Sequence, residues 1–358
     1  MRKGTLLLQR QLVRWKFFSF YLLLNLNSQK PDLLGLQNYK NIIFTHNKFT
    51  MHTKKIYFAA GCFWGGEHFL RKLPGVTATR VGFANGSTPA PSYREVYTDT
   101  TGYAETVEVT YDPSKMPLRR LVEAFFVIID PLSVNRQGED EGTRYRTGIY
   151  WEDAADVAAI EEAYSREEEW QERPLAVEVE PLRNFYPAEE EHQDYLIKHA
   201  DGYCHVDLKA LRYADLLKEL ASLVEGVQDE VAVMANTAAL LHETMRFFWT
   251  GFYRVVGEKL ALGPFQGPVA CYSIGYGKGV CGTAWKRAES VVVEDVEAFP
   301  GHIACSSASR SEIVVPLFDR ESKVASVLDI DSDRLATFDD TDRRMLELAM
   351  QIVSQEIY

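Results

Sequence analysis

The stretch that most restricts the fold is residues 55–65. Lys55-Ile56-Tyr57-Phe58-Ala59-Ala60 reads as a short apolar strand, Gly61 breaks it, and residues 62–72 take up helical spacing until Pro74-Gly75. A strand passing straight into a helix calls for a layered fold in which sheet and helix cover each other. It also places Cys62 at the N-terminus of that helix. Further on, residues 106–111, 147–151 and 176–181 have strand character. Residues 117–129 and 153–172 have helical spacing, the latter with a strongly acidic exposed face. Together they point to an α/β or α+β sandwich in two layers. Past about residue 210 the pattern changes. A long helical stretch, 213–245, has a break at Gly226. Strand-like segments follow at 247–256, 259–262, 269–274, 291–294, 312–318 and 324–331, and an amphipathic helix at 339–356 closes the chain. This predicts a mostly antiparallel sheet flanked by helices. The expected architecture is α+β in two domains, 51–210 and 211–358, within the usual domain size range.

Charge narrows the function. Eight of the 39 Lys/Arg but one of the 51 Asp/Glu lie in residues 1–50, so the net −12 of the chain becomes −19 over the rest. An acidic body lacks the basic stripe that a nucleic-acid partner needs. The five cysteines (62, 204, 271, 281 and 305) include no CxxC pair, which argues against a structural zinc site. Scattered and odd in number, they suit reactive thiols in a reducing, cytoplasmic compartment. Residues 1–50 form a basic extension whose apolar run, 17–24, is too short to span a bilayer. It reads either as a targeting segment or as a misassigned start ahead of Met51, and no membrane association is expected.

A thiol at a helix N-terminus faces unpaired N–H groups and the positive end of the helix dipole, which favour its reactive thiolate. Phe63 and Trp64 follow it as a ready apolar wall. On these residues alone, Cys62 could equally be an inert core cysteine. The motifs around it decide. Gly61-Cys62-Phe63-Trp64-Gly65 with Glu67 resembles the active-site motif of the A-type peptide methionine-(S)-sulfoxide reductases. The segments 92–96, 101–105, 137–146, 185–189 and 192–195 resemble further motifs of that family in order. One departure is Tyr103, where the family has His. The resemblance implies Cys62 as nucleophile and Glu105 as general acid, raised in pKa by apolar surroundings. It implies Tyr93 and Tyr145 as hydrogen-bond partners of the sulfoxide oxygen, oriented with help from Asp140, and Phe63 and Trp64 as the methyl wall. Cys204, in Gly202-Tyr203-Cys204, resembles the resolving cysteine; a bystander thiol is the alternative.

In the second half Asp329 and Asp331 stand two apart on a strand and share a face. With Glu312 they would bind a metal, or equally hydrogen-bond an oxide or ammonium group, or be plain edge carboxylates. The segments 248–253, 262–267, 279–284, 299–305 and 328–332 resemble the GAF-fold free methionine-(R)-sulfoxide reductases. The resemblance implies Cys305 as nucleophile with Cys281 as runner-up, and Cys271 as resolving thiol. Glu312, Asp329 and Asp331 would hold the polar end of the substrate, Trp249 and Tyr253 would enclose the thioether, and residues 264–268 would form a mobile lid. The whole chain is then expected to be a bifunctional methionine sulfoxide reductase that uses no metal or organic cofactor. Free methionine sulfoxide and oxidised proteins are its expected substrates, and thioredoxin or a similar dithiol its reductant. The competing reading makes the GAF domain a small-molecule or redox sensor that regulates the first domain.

Overall fold

The computed structural model describes residues 52–303 and 306–358; residues 1–51 and Cys305 lie outside these. Strand β1 (Lys54–Ala60) leads into helix α1 (Phe63–Leu70), with Cys62 at its N-cap, where the sequence places it. Gly61 makes the change of direction possible. Its φ of +75° is one that L side chains rarely adopt, and a Cβ there would lie 2.5 Å from Gln137 Cβ. The first sheet continues with β2 (Val76–Ala84) and β3 (Ala104–Tyr111). After the two-residue pair β4 (Arg136–Gln137) and β5 (Asp140–Glu141) come β6 (Thr147–Trp151), β7 (Glu178–Pro181) and β8 (Phe185–Pro187). Their order is β7-β6-β1-β3-β2-β8, with only the β6–β7 pair parallel.

With neighbours on both sides, β1 is wholly buried from Ile56 to Ala60. That is why it reads as a continuous apolar run rather than an alternating one. Strands β2 and β8 are absent from the sequence reading. The reason is visible in β2, which is largely exposed over Val76–Arg80 and buried over Val81–Ala84, so it shows neither signature. Short α2 (Tyr93–Val96) opens on a capping box between Ser92 and Glu95. Helix α3 (Leu118–Val127) buries Leu118, Leu121, Val122 and Phe125 at helical spacing, and Phe125 stacks on Phe58 of β1 at 4.9 Å. Each such buried side chain contributes roughly 1.5–3 kcal/mol. Helix α4 (Val157–Gln171) packs on α3, and α5 (Tyr195–Lys198) is a single turn beside α1.

The second part begins with α6 (Leu208–Val224) and α7 (Glu230–Met245), separated at Gly226 with φ +74°, as the sequence suggests. Strands β9 (Trp249–Val256), β10 (Lys259–Gln266) and β11 (Ser273–Gly275) precede α8 (Gly279–Arg287). After β12 (Val291–Val293), β13 (Ser311–Phe318) and β14 (Val324–Ser332), α9 (Asp340–Ile357) ends the chain. The sheet order is β11-β10-β9-β14-β13-β12, antiparallel throughout. One expectation fails here. Residues 264–266 are not part of a loop but the end of β10, which pairs with β9 on both sides of an irregularity between Leu262 and Phe265. Glycine and proline there mark a bulged strand rather than a lid.

The two sheets do not enclose separate cores. One apolar cluster includes Ile56 and Phe125 of the first part, Leu211 and Leu217 of α6, and Leu346 and Val353 of α9. Helix α9 lies against both α6 and α3. Beside that seam Arg344 of α9 pairs with Glu167 of α4 at 2.6 Å, and both side chains are nearly out of solvent. Removing one member of a buried pair leaves the other charge stranded. Arg344→Ala is therefore expected to cost about 3 kcal/mol, read as a lowered urea midpoint.

Candidate active sites

Around Cys62 the structure gathers the residues that the sequence singles out. Cys62 is 6% exposed, and the backbone N–H groups of Trp64 and Gly65 point at its sulfur. Glu105, on β3, lies wholly inside and accepts the N–H of Phe63 at 3.1 Å. Burial raises its carboxyl to about 8, against the pull of that N–H and of Arg144, so it carries its proton at neutral pH. Tyr93 and Tyr145 lie close enough to Glu105 and Cys62 for those charges to raise both phenols further, on top of burial. Asp140 accepts the hydroxyl of Tyr203 and is itself raised by burial; its Oδ2 has no protein partner.

The expected activation of the thiol is not what results. Burial first, then the charges of Glu105 and Asp140, push the Cys62 thiol well above its ordinary value, outweighing the two backbone N–H groups. The helix N-terminus acts as foreseen but is the weaker effect in a dry, acidic setting.

The aromatic wall is larger than foreseen. Phe63 has no exposed surface, whereas Trp64 is half-buried. Trp64 stacks on Tyr195 at 3.8 Å and lies near-parallel to His192 at 5.8 Å, and His192 in turn stacks on Tyr93 at 4.3 Å. Burial lowers the pKa of His192, so it enters this stack as a neutral ring. His192 and Tyr195 were given no role in the sequence reading, although both stand in one of its motifs. Tyr103 is buried, and its hydroxyl is bonded to the Thr88 carbonyl, which commits it to packing.

The chain returns to this site through residues 202–206. The His205 ring lies so near Gly65 that a Cβ on that glycine would be 3.0 Å from it. Cys204, next in line, is half-buried with its sulfur 3.8 Å from the Val206 carbonyl, and both Cys62 and Cys204 are free thiols.

In the second sheet Glu312 of β13 pairs directly with Asp331 of β14, and Val314 with Asp329, so the three carboxylates share one face. Cys281, from the first turn of α8, meets them with its sulfur 3.9 Å from Glu312 Oε1. Cys281, Glu312 and Asp329 are all buried. Burial and mutual repulsion raise Glu312 and Asp329 far above the usual carboxylate range; burial raises Asp331 to about 6, against the pull of Ser309. They line a cavity of ≈30 Å³, room for a water or two. Trp249 and Tyr253 are buried alongside. The Trp249 indole donates to the Pro268 carbonyl at 3.0 Å and the Tyr253 hydroxyl to the Cys271 carbonyl at 3.1 Å, tying that segment down. Cys271 is disulfide-bonded. Cys305 lies outside the described residues.

Comparison with known proteins agrees with both halves. Residues 54–221 match the family model for peptide methionine sulfoxide reductase, and residues 227–357 that for the GAF domain. The chain is 48% identical over 159 residues to the peptide methionine sulfoxide reductase MsrA of Clostridium acetobutylicum, spanning 44% of this chain and 98% of that one. The MsrA of Lachnoclostridium phytofermentans is 50% identical over 153 residues, 43% of this chain and 92% of its own. Among solved structures, the free methionine-R-sulfoxide reductase from Neisseria meningitidis, in complex with its substrate, is 48% identical. It covers 43% of this chain and 93% of its own, with a TM-score of 0.41. The chain belongs to the peptide methionine sulfoxide reductase family, and it is a methionine sulfoxide reductase that carries a GAF domain. Among the described residues no helix is long and apolar enough to cross a membrane.

The state of Glu105 can be read from stability. Between its ordinary 4.5 and about 8 the folded protein holds a proton that the unfolded chain has lost, so stability falls as pH rises through that window. Glu105→Gln removes this contribution. Its unfolding midpoint should fall less between pH 5 and 9 than that of the parent; equal falls would show Glu105 ionised when folded.

Proposed function

We propose that the chain reduces both epimers of methionine sulfoxide: the S form, free or in proteins, at Cys62, and the free R form in the GAF domain. The observation that carries the first half is a protonated Glu105 beside a buried thiol under an aromatic stack. Oxide is a poor leaving group, so the sulfoxide oxygen must gain a proton as sulfur is attacked. Glu105 gives that proton while Cys62 attacks the sulfoxide sulfur, and Tyr93 and Tyr145 hydrogen-bond the oxygen. The oxygen passes to Cys62 as hydroxyl, the thiol proton returns to Glu105, and methionine leaves. Cys62 is now a sulfenic acid. Attack by Cys204 forms the disulfide and releases water; thioredoxin or a similar dithiol supplies the two electrons that reopen it.

In the GAF domain the same chemistry is assigned to Cys305, with Cys271 resolving and Cys281 as the alternative nucleophile. Glu312, Asp329 and Asp331, acidic and closely confined, suit the ammonium group and sulfoxide oxygen of a free amino acid, and their small cavity disfavours a peptide. At ≈30 Å³ that cavity must widen to admit the substrate. Trp249 and Tyr253 would then bracket the thioether.

The decisive measurement uses the separate free epimers with a dithiol donor. Cys62→Ser should lose S reduction and keep R reduction; if the R epimer is not consumed, the GAF domain is a sensor rather than a second enzyme. Loss of R reduction in Cys305→Ser but not in Cys281→Ser supports Cys305 as nucleophile, and the converse assigns Cys281. S reduction should decline as pH rises through about 8, where Glu105 gives up its proton. Glu105→Gln should lower kcat/KM for the S epimer by about 10²- to 10⁴-fold.

A further inference from the structure

We propose that Cys281, Glu312 and Asp329 bind a thiophilic divalent cation, Zn²⁺ foremost, and that its occupancy blocks R-epimer reduction. The sulfur and one oxygen from each carboxylate lie within 4.8 Å of one another, and all three residues are buried. No other such group of three ligands occurs among the described residues.

The donor set selects the ion. Mg²⁺ and Ca²⁺ want oxygen alone, whereas one thiolate with two carboxylates suits Zn²⁺. In a tetrahedral zinc site a sulfur and an oxygen ligand stand about 3.5 Å apart. Cys281 Sγ and Glu312 Oε1 are 3.9 Å apart, a few tenths of an ångström beyond that spacing. The carboxylates are anchored on adjacent, register-locked strands, which leaves the thiol of the first α8 turn as the part that adjusts.

A second observation points to a ligand. Asp329 is 6% exposed, lies on the cavity wall, and keeps its Oδ1 buried with no hydrogen-bond partner. Among the described residues neither Asp329 nor Glu312 has a Lys or Arg ion pair. The basic group that does approach is His302, whose Nε2 is 4.0 Å from Glu312 Oε2, though it stands outside the three-ligand group. Around Cys62 the described residues form no such three-ligand group: Glu105 already accepts a backbone N–H, although Asp140 Oδ2 there is likewise buried without a partner.

Binding displaces the protons of all three ligands: Cys281–SH, the Glu312 and Asp329 carboxyls and M²⁺ give a thiolate–dicarboxylate complex of net charge −1 and up to three free protons. The blockade rests on the reading that the same carboxylates hold the substrate; the metal site itself does not.

Co²⁺, which takes zinc sites and absorbs where zinc is silent, provides the test. Titrated into the full chain held reduced by a phosphine, it should produce a sulfur-to-cobalt charge-transfer band that Zn²⁺ bleaches. Cys281→Ser should lose the band. Asp329→Asn, nearly isosteric, should bind Co²⁺ at least tenfold more weakly with an unchanged far-UV spectrum. Zn²⁺ should inhibit R reduction at concentrations that spare S reduction. No band, or a band unchanged in Cys281→Ser, overturns the site. A band without loss of R reduction overturns the blockade. R reduction by a chain that binds no Co²⁺ removes the metal and keeps the proposed function. Co²⁺ bound by a chain inert toward the R epimer does the reverse.

Discussion

Both thiol sites depend on carboxyl groups held away from water. In solution a carboxyl ionises near 4, and as an anion it repels an attacking thiolate and has no proton to give. Here Glu105 is enclosed by sheet and aromatic stack and is raised despite Arg144, and Glu312 and Asp329 lie among two strands and a helix with no lysine or arginine ion pair among the described residues. Confinement keeps Glu105 in its acid form at neutral pH, and the fold is what confines. For Glu105 the requirements are a sheet that runs unbroken through β1 and β3, a helix that begins directly above it, and the His192 stack closing the side.

The same confinement holds back the Cys62 thiol. A thiol beside buried acids resists ionisation, so the resting Cys62 keeps its proton. That guards against stray oxidation, because the thiolate is the form that oxidants and electrophiles attack.

What could be read from the residues alone was mostly local. The Gly61 break and the N-cap position of Cys62 follow from adjacent residues, and the shared face of Asp329 and Asp331 follows from the period of a strand. The strand pairing that brings Glu312 opposite Asp331 is a matter of register and leaves no local mark. The acidity of Cys62 was misjudged for a similar reason: the helix N-terminus is written next to it, whereas Glu105 and Asp140 arrive from distant segments. Strand β2 was missed because it passes from solvent into the core halfway along. Glycine and proline at 263–264 suggested a loop because such residues end most strands, yet here they sit within a bulged one. The stacking of His192 between Trp64 and Tyr93 also joins separate segments, although the motif containing it was noticed.

The apolar cluster that runs from β1 into α9 has a consequence of another kind. Two catalytic modules strung on a pliant tether would melt, age and be cleared one by one, and a protease cut between them would release a working fragment. Here α6 and α9 lie within the common interior, so severing the chain near α6 would bare oily surface on both pieces. Either half therefore depends on the other for its lifetime. A cell that degrades this protein loses both domains in the same event, and their proportion stays at one to one for as long as any molecule survives.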